Sequence, residues 1–136
     1  MEDYAHLSPL EPSECEVLVR SRAFGRVAWQ SSTGLQILPV AYVVADGVIV
    51  FRTAVGSQLA RLVEPTDVAF QVDDLDMETR VGWSVLAQGR TAPFSASQTR
   101  ELPSPWAPGD RPILIGIHPS AYTGRSVYAS WTKWEK

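Results

Sequence analysis

Cysteine, histidine and long apolar runs are all scarce in this 136-residue chain. Cys15 is the only cysteine, which excludes an internal disulfide and a cysteine-rich metal site. His6 and His118 are the only histidines, too few for a histidine-rich metal site. The longest mostly apolar run, residues 37–45, is far shorter than the roughly 20 residues that a membrane-spanning helix needs. The acidic, polar N-terminal segment also differs from a secretory signal, so we expect a protein of a reducing cytoplasm, without metal or membrane association.

Basic residues and familiar catalytic motifs are also in short supply. The chain holds 12 basic and 15 acidic side chains, a net charge of −3, whereas nucleic-acid-binding domains are usually strongly basic. It contains no phosphate-binding loop of the Walker type, no GxGxxG after a strand and no GxSxG nucleophile motif. A composition of 45% hydrophobic and 20% charged residues fits one globular domain over residues 1–136, and we expect no nucleic-acid partner.

The apolar pattern predicts short strands separated by turns, with a few short helices. The clearest unit is a β-hairpin, in which Asp46-Gly47 joins strands at residues 35–44 and 48–53. Pro39 lacks an N–H group, so it belongs at an edge or a bulge of the first strand. Further strands are predicted at residues 24–30, 67–72, 82–92, 113–118 and 122–130, helices at 13–22, 58–63 and 95–102, an acidic loop at 73–78 and an irregular segment at 1–12. This pattern indicates a mainly β or α+β fold, built as a small antiparallel barrel.

Three segments together resemble the pyridoxamine 5′-phosphate oxidase-like family of flavin-binding split β-barrels. They are QILPVAY at residues 36–42, FRTAVGSQL at 51–59 and GWSVLAQG at 82–89. Two later segments, PWAPG at 105–109 and TGR at 123–125, are similar to the small actinobacterial-type members of that family. The resemblance covers residues 10–127 and implies a split antiparallel β-barrel with a few short helices.

The resemblance also implies a homodimer with a cofactor at the subunit interface. Family members commonly bind FMN, and some relatives bind a deazaflavin (coenzyme F-420) or haem instead. Residues in three places would bind the cofactor: Leu38, Pro39 and Val40 along the flavin ring, Arg52, Thr53, Ser57 and Gln58 at the phosphate, and Trp83 and Ser84 from the other subunit.

The residue types at 52–58 agree with a phosphate site. A flavin phosphate is a dianion, which favours an arginine fork, hydroxyl groups and free backbone N–H groups. Arg52 and Thr53 end a predicted strand, and Gly56-Ser57 precedes a predicted helix whose N-terminus would favour an anion. Gln58 stands where close relatives often have lysine, and its amide adds no charge. The alternative interpretation is that Arg52 pairs with a nearby acid and that Ser57 only caps its helix.

These observations favour a flavin-dependent oxidoreductase that transfers a hydride or electrons between the flavin ring and an unknown small molecule. The flavin ring carries out such chemistry, while the protein orients and shields it. We assign no catalytic residue, because no side chain is a convincing acid or base. Two alternatives stay open: a non-catalytic protein that carries or senses a flavin, deazaflavin or haem, and a dimeric barrel without a ligand. For Trp83, the alternative to a role at the cofactor is that it is an ordinary aromatic residue of the core or of the dimer interface.

Overall fold

The computed structural model describes residues 4–130, with backbone alone for residues 4–6, 129 and 130. The described chain forms seven β-strands, one α-helix and two short 3₁₀ helices. The strands are β1 (Tyr4–Pro9), β2 (Phe24–Ser31), β3 (Gly34–Ala45), β4 (Val48–Thr53), β5 (Asp67–Asp76), β6 (Val81–Pro93) and β7 (Ile113–Ser130). Helix α1 spans Pro12–Arg20, and the 3₁₀ helices span Leu59–Val63 and Ala96–Gln98.

The strands form one antiparallel sheet that closes on itself. Their order is β1-β7-β4-β3-β2-β5-β6, and β6 also pairs with β7, so six strands complete a ring and β1 lies outside it. The long β7 makes this closure possible, because its start pairs with β4, its middle with β6 and its end with β1. The predicted split antiparallel β-barrel with a few short helices is confirmed.

The predicted hairpin joins β3 to β4. Asp46 and Gly47 have φ angles of 54° and 81°, the left-handed conformations that a type I′ turn requires. Pro39 lies in the part of β3 that pairs only with β2, because pairing with β4 starts at Tyr42. The missing N–H therefore falls on a strand edge, as predicted.

Several predicted boundaries were wrong, and the N-terminal segment shows why. Residues 4–9 form β1 where an irregular segment was expected, since they pair with residues 125–130 at the far end of the chain. Residues 73–76, expected in the acidic loop at 73–78, extend β5 because each has a partner on β6. Helix α1 has its capping box at Glu11 and Glu14, two residues before the predicted one.

The two predicted C-terminal strands are one strand. Separate strands were expected at residues 113–118 and 122–130, whereas β7 runs without a break from Ile113 to Ser130. The register with β6 shifts between Gln88 and Gly89, so that Ser120 is left over as a bulge. The Ser120 hydroxyl donates to the Gln88 carbonyl oxygen at 3.2 Å, which holds the bulge in place.

The barrel interior is filled by side chains from alternating strand positions. The core includes Val27, Trp29, Ile49, Phe51, Phe70, Val85, Ile115 and Ile117. Helix α1 covers one side of this core with Cys15 and Val19, both buried. Cys15 is thus a small buried hydrophobe, and burial raises the pKa of its thiol. None of the described helices has both the length and the apolar character to span a bilayer.

Candidate functional site

The turn that follows β4 is held together by the hydroxyl groups of Thr53 and Ser57. Their oxygens lie 2.7 Å apart, and the Ser57 hydroxyl donates to the carbonyl oxygen of Ala54 at 2.8 Å. Because Ser57 has one hydroxyl proton, Thr53 is the donor in the bond between the two side chains. The backbone N–H of Ala60 also donates to Ser57 Oγ, at 3.2 Å. Both hydroxyls therefore stabilise the turn, and their assignment to a bound phosphate stays a prediction.

The same turn has two backbone N–H groups that have no acceptor among residues 4–130. The Ser57 N–H donates to the Ala54 carbonyl at 3.2 Å, which closes a β-turn with Val55 and Gly56 at its centre. Gly56 has a φ of 80°, which favours glycine over any other residue. Val55 and Gly56 are exposed, and within the described chain neither N–H has a hydrogen-bond partner. Adjacent free N–H groups in a turn are suited to binding an anion.

Arg52, which precedes this turn, has no carboxylate partner in the part of the chain that the structure describes. Its Nε donates to the carbonyl oxygen of Arg111 at 2.8 Å, across the pairing of β4 with β7. Among residues 4–130, no carboxylate oxygen lies within 4.0 Å of its guanidinium. The interpretation that Arg52 pairs with a nearby acid is therefore wrong for the part of the chain that the structure describes. This half-buried cation is left with two Nη groups to donate.

Arg111 is a second cation at this end of the barrel, and sequence reasoning missed it. Its Nη2 donates to the Pro108 carbonyl at 3.4 Å, whereas its buried Nε has no partner among the described groups. A separation of 59 residues hides its proximity to Arg52, which only the β4–β7 pairing creates. The nearby PWAPG segment is the one sequence signal that could have pointed to it. Guanidinium groups and backbone N–H groups without a partner in the described chain are the donors that a phosphate binds.

Gln58 lines a cleft to which neither Arg52 nor Arg111 contributes. It is exposed and lines a cleft of about 130 Å³ together with Trp29, Arg61 and the β2–β3 turn residues 31–33. The predicted helix over residues 58–63 is a five-residue 3₁₀ helix that begins at Leu59. Because it is so short, its N-terminus adds little to anion binding. Of the four predicted phosphate residues, the structure thus joins Thr53 to Ser57 and places Arg52 and Gln58 in separate surroundings.

Leu38, Pro39 and Val40 lie on the part of β3 that has a partner on one side only. This segment pairs with β2, and pairing with β4 starts two residues later, at Tyr42. Val40 is buried in the core, whereas Leu38 and Pro39 are exposed. The open edge of β3 presents backbone groups and apolar side chains together, which suits one face or edge of a planar ring.

Trp83 and Ser84 lie on β6, opposite Asp74 and Asp73 of β5. The guanidinium carbon of Arg22 is 5.6 Å from the centre of the Trp83 ring. The Nη2 of Arg22 is 2.7 Å from Asp74 Oδ2. Trp83 is half-buried against the core. In the described chain, no hydrogen bond or ring contact joins Trp83 or Ser84 to residues 38–40 or 52–58. Their contribution to a cofactor site stays a prediction that requires a second subunit.

A larger cleft, of about 520 Å³, lies between β2, β3 and the loop that precedes β7. Phe24 and Trp106 meet at its rim edge to face, with ring centres 4.5 Å apart. Trp106 is 85% exposed and belongs to the PWAPG segment. None of the nine predicted site residues lines this cleft, although Arg22 lies in its wall and reaches Trp83.

The barrel fold, with a turn after β4 that suits an anion, agrees with the protein family that the sequence matches. Residues 11–126 match the family described as pyridoxamine 5′-phosphate oxidase. The chain therefore belongs to this family, and the resemblance found in the sequence is confirmed.

Individual relatives cover nearly the whole chain. An FAD-binding protein from Mycobacterium smegmatis is 27% identical, with a TM-score of 0.69 over 89% of this chain and 98% of its own. A protein from Corynebacterium glutamicum, described as a candidate pyridoxamine 5′-phosphate oxidase, is 26% identical, with a TM-score of 0.69 over 93% and 95% of the two chains. An uncharacterised protein of Mycobacterium tuberculosis is 29% identical over 129 residues, 88% of this chain and 85% of its own.

Proposed function

We propose that this protein binds a flavin, with the flavin phosphate at the turn after β4. The observation that carries the proposal is Arg52, a half-buried cation with no carboxylate partner among the described residues, directly before a turn with two free N–H groups. A guanidinium with donors to spare can form charge-assisted hydrogen bonds to a phosphate. The buried Nε of Arg111, which has no partner among the described groups, supports the same location.

Membership of the pyridoxamine 5′-phosphate oxidase family supports a flavin over other phosphorylated ligands. The relative from Mycobacterium smegmatis, which binds FAD, supports it as well. FMN is the ligand that the sequence resemblance implies, and it carries the single phosphate for which the Arg52 turn provides donors.

The open edge of β3 supports a homodimer. Leu35, Ile37 and Leu38 are 80%, 60% and 36% exposed on a strand segment that has an unpaired edge. An exposed apolar edge of this kind favours association with another chain. In such a dimer, Trp83 and Ser84 of the second subunit would complete the site at the ring.

The flavin ring, when bound, supplies the hydride or electron transfer to an unknown small molecule. This chain's residues bind and orient the cofactor: Arg52 holds its anionic end, and the β3 edge contacts its planar end. Apolar side chains such as Leu38 would exclude water from the ring. The nine predicted residues include no group that titrates near neutral pH, so the protein's part is binding and positioning.

An absorbance spectrum of the purified protein tests the proposal. Flavin, deazaflavin and haem have distinct visible bands, so the spectrum identifies the class of bound cofactor directly. We expect flavin bands, at a stoichiometry of one flavin per chain after reconstitution with FMN. Haem or deazaflavin bands would contradict the flavin assignment, and a protein that stays colourless after reconstitution would support a barrel without a ligand.

A further inference from the structure

The loop that precedes β7, residues 99–112, forms one wall of the large cleft. Its contribution to the lining is Glu101, Leu102, Ser104 and Trp106. Residues 20, 22–24 and 41–44 line the cleft from the side of α1, β2 and β3. The position of the loop therefore sets the width of this cleft, whose volume is about 520 Å³.

Few contacts hold the loop against the barrel. Among residues 99–112, Pro103 alone is buried, and Trp106 meets the Phe24 ring edge to face at the rim of the cleft. In the part of the chain that the structure describes, a single hydrogen bond joins the loop to the barrel strands, from Arg52 Nε to the Arg111 carbonyl oxygen at 2.8 Å. A segment with so few buried contacts separates from the rest of a fold at a low cost in free energy.

The docked position of the loop is balanced between two opposing effects. The docked loop buries the Nε of Arg111, which has no partner among the described groups, and a buried donor without an acceptor lowers stability. The four prolines of the loop, at positions 103, 105, 108 and 112, restrict its backbone, so docking costs less entropy than in an ordinary loop. One added contact can therefore decide whether the loop is docked.

Arg52 connects this loop to the proposed phosphate site. Its Nε holds the loop, while its Nη groups have no protein acceptor within residues 4–130. An anion on the Nη groups restrains the same side chain, so the entropy lost by ordering it serves both contacts. Two contacts that share one ordered group favour each other, and the effect is reciprocal.

We propose that the loop at residues 99–112 is a movable wall of the large cleft, and that an anion bound to Arg52 holds it in place. The inference rests on the proposed function, since it takes the flavin phosphate as that anion. The cofactor phosphate would then complete the cleft in which a second molecule can bind.

A nitroxide label on the loop measures this coupling. Cys15 is buried, so a cysteine introduced at the exposed Ala107 is the one that reacts with the label. We expect FMN and inorganic phosphate to reduce the mobility of the label in Ala107→Cys, and riboflavin, which has no phosphate, to leave it mobile. In Arg52→Gln with saturating FMN, the label should stay mobile. Val17→Cys is the control, because Val17 is exposed on α1 and does not line the cleft, so its spectrum should not change.

Reciprocity gives a second test that needs no label. Trp106→Ala removes the ring contact of the loop with Phe24 and leaves Arg52 intact. It should weaken FMN binding by about fivefold and leave riboflavin binding unchanged, because the loop no longer helps to order Arg52. Val17→Ala, which truncates another exposed apolar side chain, is the matched control and should change neither affinity.

The inference is overturned if the label at residue 107 is equally mobile with FMN, with riboflavin and without either. It is also overturned if riboflavin restrains the label as much as FMN, or if Trp106→Ala binds FMN as tightly as the wild type. Failure of the proposed function looks different, since FMN would then bind the wild type no better than riboflavin, or no flavin would bind at all.

Discussion

The side chain of Arg52 donates from Nε to the backbone carbonyl of Arg111 at 2.8 Å, which ties the end of β4 to the segment before β7. This bond restrains the guanidinium, while its Nη groups have no protein acceptor in the described chain. A held but unsatisfied guanidinium has lost part of its side-chain entropy before any ligand arrives. It is therefore preorganised for an anion.

Replacing Arg52 with alanine should weaken FMN binding and leave riboflavin binding nearly unchanged. Charge-assisted hydrogen bonds contribute about 1.5–3 kcal/mol, which corresponds to a loss of about 10–150-fold in FMN affinity. Fluorescence titration with both ligands measures this difference. Riboflavin also serves as the control for folding, because its affinity depends on the ring site. An equal loss for both ligands would mean that Arg52 acts through the fold.

Replacing Gln58 with lysine should tighten the binding of phosphorylated flavins. The added charge lies in a partly exposed cleft beside Arg61, so the gain is about 1 kcal/mol and falls as salt screens it. Riboflavin should gain nothing, because it carries no phosphate. Titrations at two salt concentrations check this, and a salt-independent gain or an equal gain for riboflavin would contradict it.

Tyr42 should stabilise the fold through its hydroxyl. The phenol is buried, and its hydroxyl donates to the Val19 carbonyl at the end of α1. The rings of Tyr42 and Phe70 meet edge to face, with their centres 4.9 Å apart. Tyr42→Phe keeps the ring and removes the bond, so urea unfolding should show a loss of about 1 kcal/mol. An unchanged free energy of unfolding would mean that the bond adds nothing to stability.

The same residue should make stability fall at alkaline pH. Burial, with a smaller effect of Tyr122, raises the pKa of Tyr42 in the folded protein. In the unfolded chain tyrosine loses its proton at about pH 10, whereas Tyr42 in the folded chain keeps it. The free energy of unfolding therefore has its full value below that pH and declines above it. In Tyr42→Phe the decline between neutral pH and pH 11 should be shallower than in the wild type. Parallel profiles would show that other groups cause the decline.

Ile37→Asp should convert the proposed dimer to a monomer. Ile37 is 60% exposed beside the open edge of β3, where a charge would oppose burial against a second chain. Val17→Asp is the matched control, because Val17 is 61% exposed and lies on α1, away from that edge. Sedimentation should find a dimer for the wild type and the control. A monomeric wild type, or a dimeric Ile37→Asp, would exclude this edge as the interface.

Local sequence signals predicted the elements that local contacts determine. The Asp46-Gly47 hairpin was correct because its turn needs two left-handed residues that the sequence supplies. Strand β1 was missed, since its partner lies about 120 residues further along the chain and nothing within the segment records it. The bulge at Ser120 was missed for the same reason, as it depends on the register with β6.

The candidate site was also predictable from the sequence only in part. Residue types identified the 52–58 segment, but hydrogen bonds across the fold decide what each side chain does there. Thr53 and Ser57 bond to each other, and Arg52 turns to Arg111. The sequence analysis considered Gln58 and did not consider Arg61. Arg61 lies one 3₁₀ turn later and lines the same cleft as Gln58.

The central claim is that the turn after β4 binds the phosphate of a flavin, and titration of the wild-type protein with FMN and riboflavin tests it most directly. Both ligands share the ring, so the difference between their dissociation constants belongs to the phosphate alone. We predict one site per chain for each ligand and FMN binding at least about tenfold tighter than riboflavin. Equal affinities for the two ligands, or no binding of either, would contradict the account.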